Sequence, residues 1–187
     1  MRWGQGISAP WSEKELITDF VAKIGELRPQ LVTFNGNSFD LPVLRYRAMV
    51  NRVMATGLHA RPYFHRYTDD AIDLCDVLGS FGSQAKAKLD EIAKVLGLAG
   101  KPEGVEGSQV EALVNEGRIE EVAQYCESDV LNTYRIWLIH ELFRGAIQPQ
   151  ELEWSEAQIR TFISGRQTSN PHLRVAIGIP LEPVDRS

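Results

Sequence analysis

The sequence predicts an α/β domain, from the order of its elements and from its composition. Segments with helical spacing of apolar residues alternate with two short β-rich segments, which is typical of helices packed on a parallel sheet. The chain has 187 residues, 43% of them hydrophobic, which is enough for one domain with a sizeable core. We therefore expect one domain over residues 1–150, followed by a C-terminal helix and an extended tail over residues 151–187.

The N-terminal part is predicted to contain an amphipathic helix over residues 13–27. Ser12 and Glu15 have the spacing of a capping box, in which each side chain bonds the backbone of the other residue. Pro29 then ends the helix. Apolar residues recur at helical spacing behind the cap, at Leu16, Phe20, Ile24 and Leu27.

A strand and a second helix are predicted next. Residues 31–34 are β-rich and mostly apolar, which predicts a buried parallel strand. A turn at residues 35–37 leads into a helix over residues 39–53, which tolerates Pro42 in its first turn.

The remaining elements are mainly helical. We predict a loop over 54–69, a short strand over 71–74, and helices over 88–96, 108–115, 118–142 and 155–164. On the long helix we expect to find Ile119, Val122, Val130, Tyr134 and Trp137 buried. Two strands are too few for a free-standing sheet, so part of the expected sheet is missing from this sequence.

Charge is distributed unevenly along the chain. The net charge is −5, which argues against a general nucleic-acid coat protein but not against a nuclease. Residues 41–68 contain no acid and five arginines, and the rest of the chain carries −10. This basic segment also contains His59, His65 and several aromatic residues. It is either a surface that contacts phosphates and bases or a solvated helix face and loop.

The cysteines and the apolar runs suggest a cytoplasmic location. Cys75 and Cys126 lie far apart and match no metal or redox spacing, which favours a reducing compartment. No apolar stretch is long enough to span a bilayer, and the N-terminus lacks the pattern of a signal peptide.

Three groups of residues could carry chemistry. Asp40 follows the carboxyl end of a predicted strand, where α/β sheets place their sites, although it could equally complement a helix dipole. Tyr125 and Asp129 share one helix face, although this is also the pattern of an exposed acid above a half-buried tyrosine. Asp73 ends the second strand, and turn chemistry is favoured for Asp76.

Taken together, these groups resemble the motifs of a known family of nucleases. Asn35, Phe39 and Asp40 are similar to the second motif of DEDDy-type, DnaQ-like 3′–5′ exonucleases related to the proofreading domain of family B DNA polymerases. Tyr125 and Asp129 are similar to the third motif of the tyrosine subtype. The order and separation of the motifs make the resemblance specific, where one motif alone would be weak.

The resemblance covers roughly residues 30–145. It implies a ribonuclease H-like fold and removal of nucleotides from the 3′ end of single-stranded DNA or RNA, with two divalent cations, Mg²⁺ or Mn²⁺. It further implies that Asp40 and Asp129 are metal ligands and that Tyr125 orients the attacking water. The sequence does not identify a polymerase or repair partner.

The resemblance also suggests which residues contact the substrate. Asn35 and Phe39 are expected to line the pocket of the terminal nucleotides. Arg45 and Arg47, which lie in the basic segment, are expected to contact phosphates.

The chain departs from the family in one respect. The first family motif, Asp-x-Glu, supplies half of the metal-binding carboxylates, and it does not occur ahead of Asn35. We therefore expect an exonuclease fold without its first N-terminal strands, inactive in this form, and we favour a fragment of an active enzyme. The alternatives are a catalytically dead module that binds nucleic acid and a structural or interaction domain.

Overall fold

The computed structural model describes residues 11–82, 86–99, 107–165, 172, 173 and 177. The chain divides into two compact units, Met1–Lys86 and Ala87–Ser187, and each is described by itself. The expected domain boundary at residue 150 stays a prediction.

The first unit combines helices with a small parallel sheet. Its regular elements are α1 (Glu13–Leu27), β1 (Leu31–Thr33), α2 (Asp40–Val50), β2 (Ala71–Asp73) and α3 (Leu74–Leu78). The two strands run parallel, with Leu31 opposite Ala71 and Thr33 opposite Asp73. Within the described residues the sheet consists of these two strands, and this helix-rich arrangement is compatible with the predicted α/β class.

The predicted start of α1 is confirmed. The Ser12 hydroxyl accepts a hydrogen bond from the Glu15 amide, and the Glu15 carboxylate accepts one from the Ser12 amide at 2.8 Å. Two amide hydrogens of the first turn, which have no partner inside a helix, are satisfied in this way. After Arg28 caps the helix in the left-handed conformation, Pro29 follows as predicted.

Of the predicted apolar face of α1, only Ile24 is buried. The buried residues are Ile17, Val21 and Ile24, whereas Leu16, Phe20 and Leu27 are each more than 40% exposed. The reason is a close contact between α1 and a short 3₁₀-helix over Thr56–His59. A Cβ added at Gly57 would lie only 1.9 Å from the carbonyl oxygen of Val21, and one added at Gly25 would lie 3.1 Å from the Gly57 Cα. This contact turns the Ile17–Val21–Ile24 stripe inwards.

The segment predicted as a loop, 54–69, packs on the core of the first unit. Leu58 and Tyr63 are buried in it, and the Tyr63 hydroxyl donates a hydrogen bond to the carbonyl of Pro29 at 2.8 Å. Tyr63 is therefore not available to stack on a base. The buried residues of this core are Ile17, Val21, Ile24, Leu41, Ala48, Leu58, Tyr63 and Ala71.

The second unit is built around one long helix. Its elements are α4 (Leu89–Val95), α5 (Val110–Asn115), α6 (Ile119–Phe143) and α7 (Pro149–Ser164), and the other three helices contact α6. Gly145, with φ 72°, ends α6 as predicted. Its amide bonds the carbonyl of Leu142, and the Ala146 amide bonds that of Glu141, which is a Schellman motif.

The buried face of α6 is partly polar, contrary to expectation. Val130, Tyr134 and Ile119 were predicted to be buried but are 69%, 39% and 44% exposed. Ser128 and Asn132 are fully buried instead. Buried Arg135 of α6 pairs with Glu156 of α7 at 2.8 Å, and apolar residues complete the contact at Leu138, Ile159, Ile163, Leu173 and Ile177.

The C-terminal helix begins earlier than predicted. It starts at Pro149, because proline suits the first helical position, where an amide hydrogen would have no helical partner. Most of the expected extended tail lies outside the described residues. None of the described helices combines the length and the apolar character needed to cross a lipid bilayer.

Candidate functional site

The buried carboxylate of Asp73 ties together the two strand ends of the first unit. Parallel strands place their carboxyl ends at the same sheet edge, and Asp73 is the last residue of β2. Its Oδ1 accepts hydrogen bonds from the amides of Asn35 (2.7 Å) and Cys75 (3.0 Å). Its Oδ2 accepts one from the amide of Asn37 at 2.9 Å. The Asp73 side chain therefore lies in the predicted site region, where it holds the backbone of the turn at residues 35–37 in place.

The anchored turn leads directly to two of the predicted site residues. Asn35 has φ 67°, a left-handed conformation that asparagine tolerates better than most residues. Its carbonyl accepts hydrogen bonds from the amides of Ser38 and Phe39 at 3.2 and 3.0 Å. The chain then enters α2 at Asp40, and the Phe39 ring is 62% exposed. Phe39 and Asp40 are thus presented to solvent at the sheet edge.

The surroundings of Asp40 favour a cation. Although the residue is exposed, desolvation by nearby protein raises the pKa of its carboxyl, and the negative charge of Asp73 adds to the rise. A hydrogen bond from its own amide opposes the shift. A hard cation would offset both unfavourable effects, so the chemistry of this donor fits Mg²⁺ or Mn²⁺.

The expectation of turn chemistry at Asp76 is wrong. Asp76 lies inside α3, fully buried, and its carboxylate accepts hydrogen bonds from the Arg66 guanidinium at 2.6 and 2.8 Å. The Asn37 side chain donates to it at 3.2 Å, and Lys86 lies 3.4 Å away. The hydrogen bonds from Arg66 are the main reason why the pKa of Asp76 is lowered. This buried ion pair is a second anchor for the turn.

Within the described ranges, three of the five arginines of the basic segment form ion pairs with carboxylates. Arg47, predicted to contact substrate, forms a bidentate ion pair with Glu13 of α1. Arg66 pairs with Asp76 through two hydrogen bonds, whereas Arg61 pairs with Asp70 through one and donates a second to the carbonyl of Arg28. Arg45, also predicted to contact substrate, has its guanidinium carbon 4.1 Å from the centre of the Phe64 ring. Arg45 therefore remains a better candidate for a phosphate contact than Arg47.

The other predicted catalytic residues lie in the second unit. Tyr125 and Asp129 are half-buried and stand one turn apart on the same face of α6. The Tyr125 hydroxyl lies 3.6 Å from the position that a Cβ on Gly107 would occupy. Asp40 belongs to the first unit, so its convergence with Tyr125 and Asp129 stays a prediction.

Metal ligands are not clustered in the part of the chain that the structure describes. No group of three or more His, Cys, Asp or Glu side chains there could by itself hold a metal ion. The predicted metal residues, Asp40 and Asp129, supply one carboxylate from each unit.

Comparison with known proteins identifies the family. Residues 7–176 match the family described as predicted 3′–5′ exonucleases related to the exonuclease domain of PolB. The chain belongs to this family. The resemblance inferred from the second and third motifs is thereby confirmed, and the matched range includes every predicted site residue.

A DNA polymerase of Archaeoglobus fulgidus is similar to part of this exonuclease-family chain. The two are 28% identical over 132 residues, which cover 66% of the chain and 17% of the polymerase. The chain thus spans about a sixth of that polymerase. No solved structure matches the chain.

The family motifs alone did not identify the residues that anchor the turn in the first unit. Asn37, Arg66 and Asp76 hold the turn, yet none belongs to a motif quoted for the exonuclease family. The position of Asp73 at a strand end was the available signal, because an acceptor there faces the turn that follows the neighbouring strand.

Proposed function

We propose that this chain is the core of a 3′–5′ exonuclease that shortens single-stranded DNA or RNA by two-metal hydrolysis, on a ribonuclease H-like fold. The family match over residues 7–176 carries the proposal. The anchored presentation of Phe39 and Asp40 at the sheet edge supports it.

Each proposed site residue has a distinct task. Asp40 and Asp129 hold the cations, Tyr125 orients the attacking water, and Asn35 and Phe39 contact the terminal nucleotides. The cations, when bound, make the water a stronger nucleophile and stabilise the leaving 3′ oxygen. A tyrosine suits the orienting task because its hydroxyl donates and accepts hydrogen bonds without being a base at neutral pH.

The number of carboxylates limits the activity expected from this sequence. Without an Asp-x-Glu motif, Asp40 and Asp129 offer fewer oxygen ligands than two hard cations prefer, so cation affinity should be low. The same observation favours the second candidate function, a module that binds single strands without cutting them.

The first experiment measures cleavage of a 5′-labelled single strand with Mn²⁺ or Mg²⁺ in excess. Because the Asp-x-Glu ligands are absent from this sequence, we expect no shortening at ordinary cation concentrations and only slow shortening from the 3′ end at high Mn²⁺. Asp129→Ala should abolish that residual activity, and Tyr125→Phe should lower it through misplacement of the water. Tyr134→Phe, on the same helix, and Asp19→Ala, on α1, are matched controls that should retain activity. Full activity of Asp129→Ala would refute the assignment. Binding that persists in chelator without cleavage would favour the binding module.

The second experiment tests convergence without relying on activity. Fe²⁺ bound in place of Mg²⁺ is oxidised by added hydrogen peroxide, with ascorbate to re-reduce the iron, and the hydroxyl radicals formed cut the backbone beside the metal. We expect fragments ending near residue 40 and also near residues 125–129, both suppressed by Asp40→Asn. Cleavage at only one of these segments would contradict a shared metal site.

A further inference from the structure

We propose that Arg45 and two adjoining cavities in the first unit bind one internal nucleotide of the single-stranded substrate, with its phosphate on Arg45 and its base beside Met49. This inference rests on the proposed function and deepens it. The cavities have volumes of about 500 and 550 Å³ and share Arg45, His59 and Phe64. Both are open grooves rather than enclosed pockets, which suits a nucleotide inside a continuous strand.

The first cavity suits an anion. It is lined by Arg45, His59, Phe64 and His65 among others, and no residue from 41 to 68 is acidic. In the described part of the chain, Arg45 has no carboxylate partner, unlike Arg47, Arg61 and Arg66.

Stacking orders the Arg45 side chain in a position from which it can bind a phosphate. Its guanidinium lies over the Phe64 ring at 4.1 Å, and the His59 ring packs against the same phenylalanine at 5.6 Å between centres. Stacking uses the face of a guanidinium and leaves its N–H edge able to donate to phosphate oxygens. A stacked arginine also loses less side-chain freedom when it binds, because it is already ordered.

The second cavity suits a base. Its lining is mainly apolar and includes Met49, Val53 and Met54, and the Met49 and Met54 side chains are 67% and 83% exposed. Flexible thioether chains adapt to flat ring systems, and a base covering them would remove apolar surface from water. Since the two cavities adjoin at Arg45 and Phe64, one nucleotide can occupy both.

The test measures binding of a fluorescein-labelled oligothymidylate by anisotropy, in chelator so that no cleavage occurs. On single strands each phosphate contact contributes a slope of about 0.7 in log K against log salt, so Arg45→Gln should weaken binding about eightfold at 50 mM salt and about threefold at 200 mM. Lys14→Gln, on the exposed side of α1, removes the same charge outside both cavities; it is the matched control and should change affinity less than about twofold.

The base contact is tested with a strand lacking bases. Met49→Gln should weaken binding of the oligothymidylate but leave binding of an abasic strand unchanged. Arg45 and Met49 are both exposed, so circular dichroism should show intact folds. If Arg45→Gln matches the wild type in affinity and salt slope, or if the wild type does not bind, the nucleotide site is refuted. The proposed function is tested separately, by cleavage of a labelled strand and by the loss of that cleavage in Asp129→Ala.

Discussion

Replacing Asp73 should destabilise the turn that carries the candidate site. Asp73→Ala removes the acceptor of three amide hydrogens, those of Asn35, Asn37 and Cys75. A hydrogen bond to a charged group contributes about 1.5–3 kcal/mol, and water can partly replace the bonds of half-buried Asn35 and Asn37. We therefore expect the free energy of unfolding to fall by about 3–5 kcal/mol.

Asp73→Asn should lower the free energy of unfolding less than Asp73→Ala, and its effect should be confined to one amide. The side-chain oxygen of asparagine can replace Oδ1 and keep the bonds from Asn35 and Cys75. Its NH₂ group would then oppose the amide of Asn37, which leaves two donors facing each other. We expect a loss of about 2 kcal/mol.

Urea unfolding followed by circular dichroism measures both losses, and native-state hydrogen exchange locates them. In Asp73→Asn the amide of Asn37 should exchange faster while that of Asn35 stays protected. Asp19→Asn, on the exposed side of α1, is the control and should change stability by less than about 0.5 kcal/mol. Equal damage from the two Asp73 variants, or stability of Asp73→Ala within about 1 kcal/mol of the wild type, would refute this reasoning.

Two further variants test the packing and the buried charge of the first unit. Gly57→Ala would place a Cβ 1.9 Å from the carbonyl oxygen of Val21, so it should lower the free energy of unfolding by about 3 kcal/mol, measured by thermal or urea unfolding. Gly165→Ala is the control, because a Cβ there would make only ordinary contacts. Because the pKa of Asp76 is lowered in the folded state, its contribution to stability is present above the usual aspartate pKa and is lost as pH falls through the folded value. Arg66→Met removes the main cause of that pKa shift, so the free energy of unfolding at pH 7 should fall by about 2 kcal/mol. Acid unfolding should also begin at a higher pH. An unchanged midpoint of acid unfolding would contradict the pairing of Arg66 with Asp76.

Local signals in the sequence predicted the start of α1 and the end of α6. Ser12 and Glu15 start α1 and Gly145 ends α6, because capping depends on residues only a few positions apart. The motif residues Asn35 and Asp40 were also placed correctly, at a turn and at a helix start.

The buried faces and the anchoring contacts could not be predicted in the same way. Apolar residues of α1 cover more than one face, so periodicity alone cannot choose between the stripe through Leu16 and the one through Ile17. The choice depends on Gly57, which lies 36 residues beyond the Val21 that it contacts. Likewise the bonds of Asp73 to Asn35 and Asn37 join residues far apart in the chain, and the position of Asp73 at a strand end indicates the region it faces but not which amides it bonds.

The anchoring of the turn by Asp73 limits how this motif can be transplanted. A short peptide copying residues 31–40, or a loop graft of those residues onto another scaffold, would lack the acceptor that holds the amides of Asn35 and Asn37. Asn35 would then lose the hydrogen bond to Asp73 that helps to hold its left-handed conformation. Protein engineers who wish to move the Phe39–Asp40 edge should therefore carry both parallel strands together as one cassette.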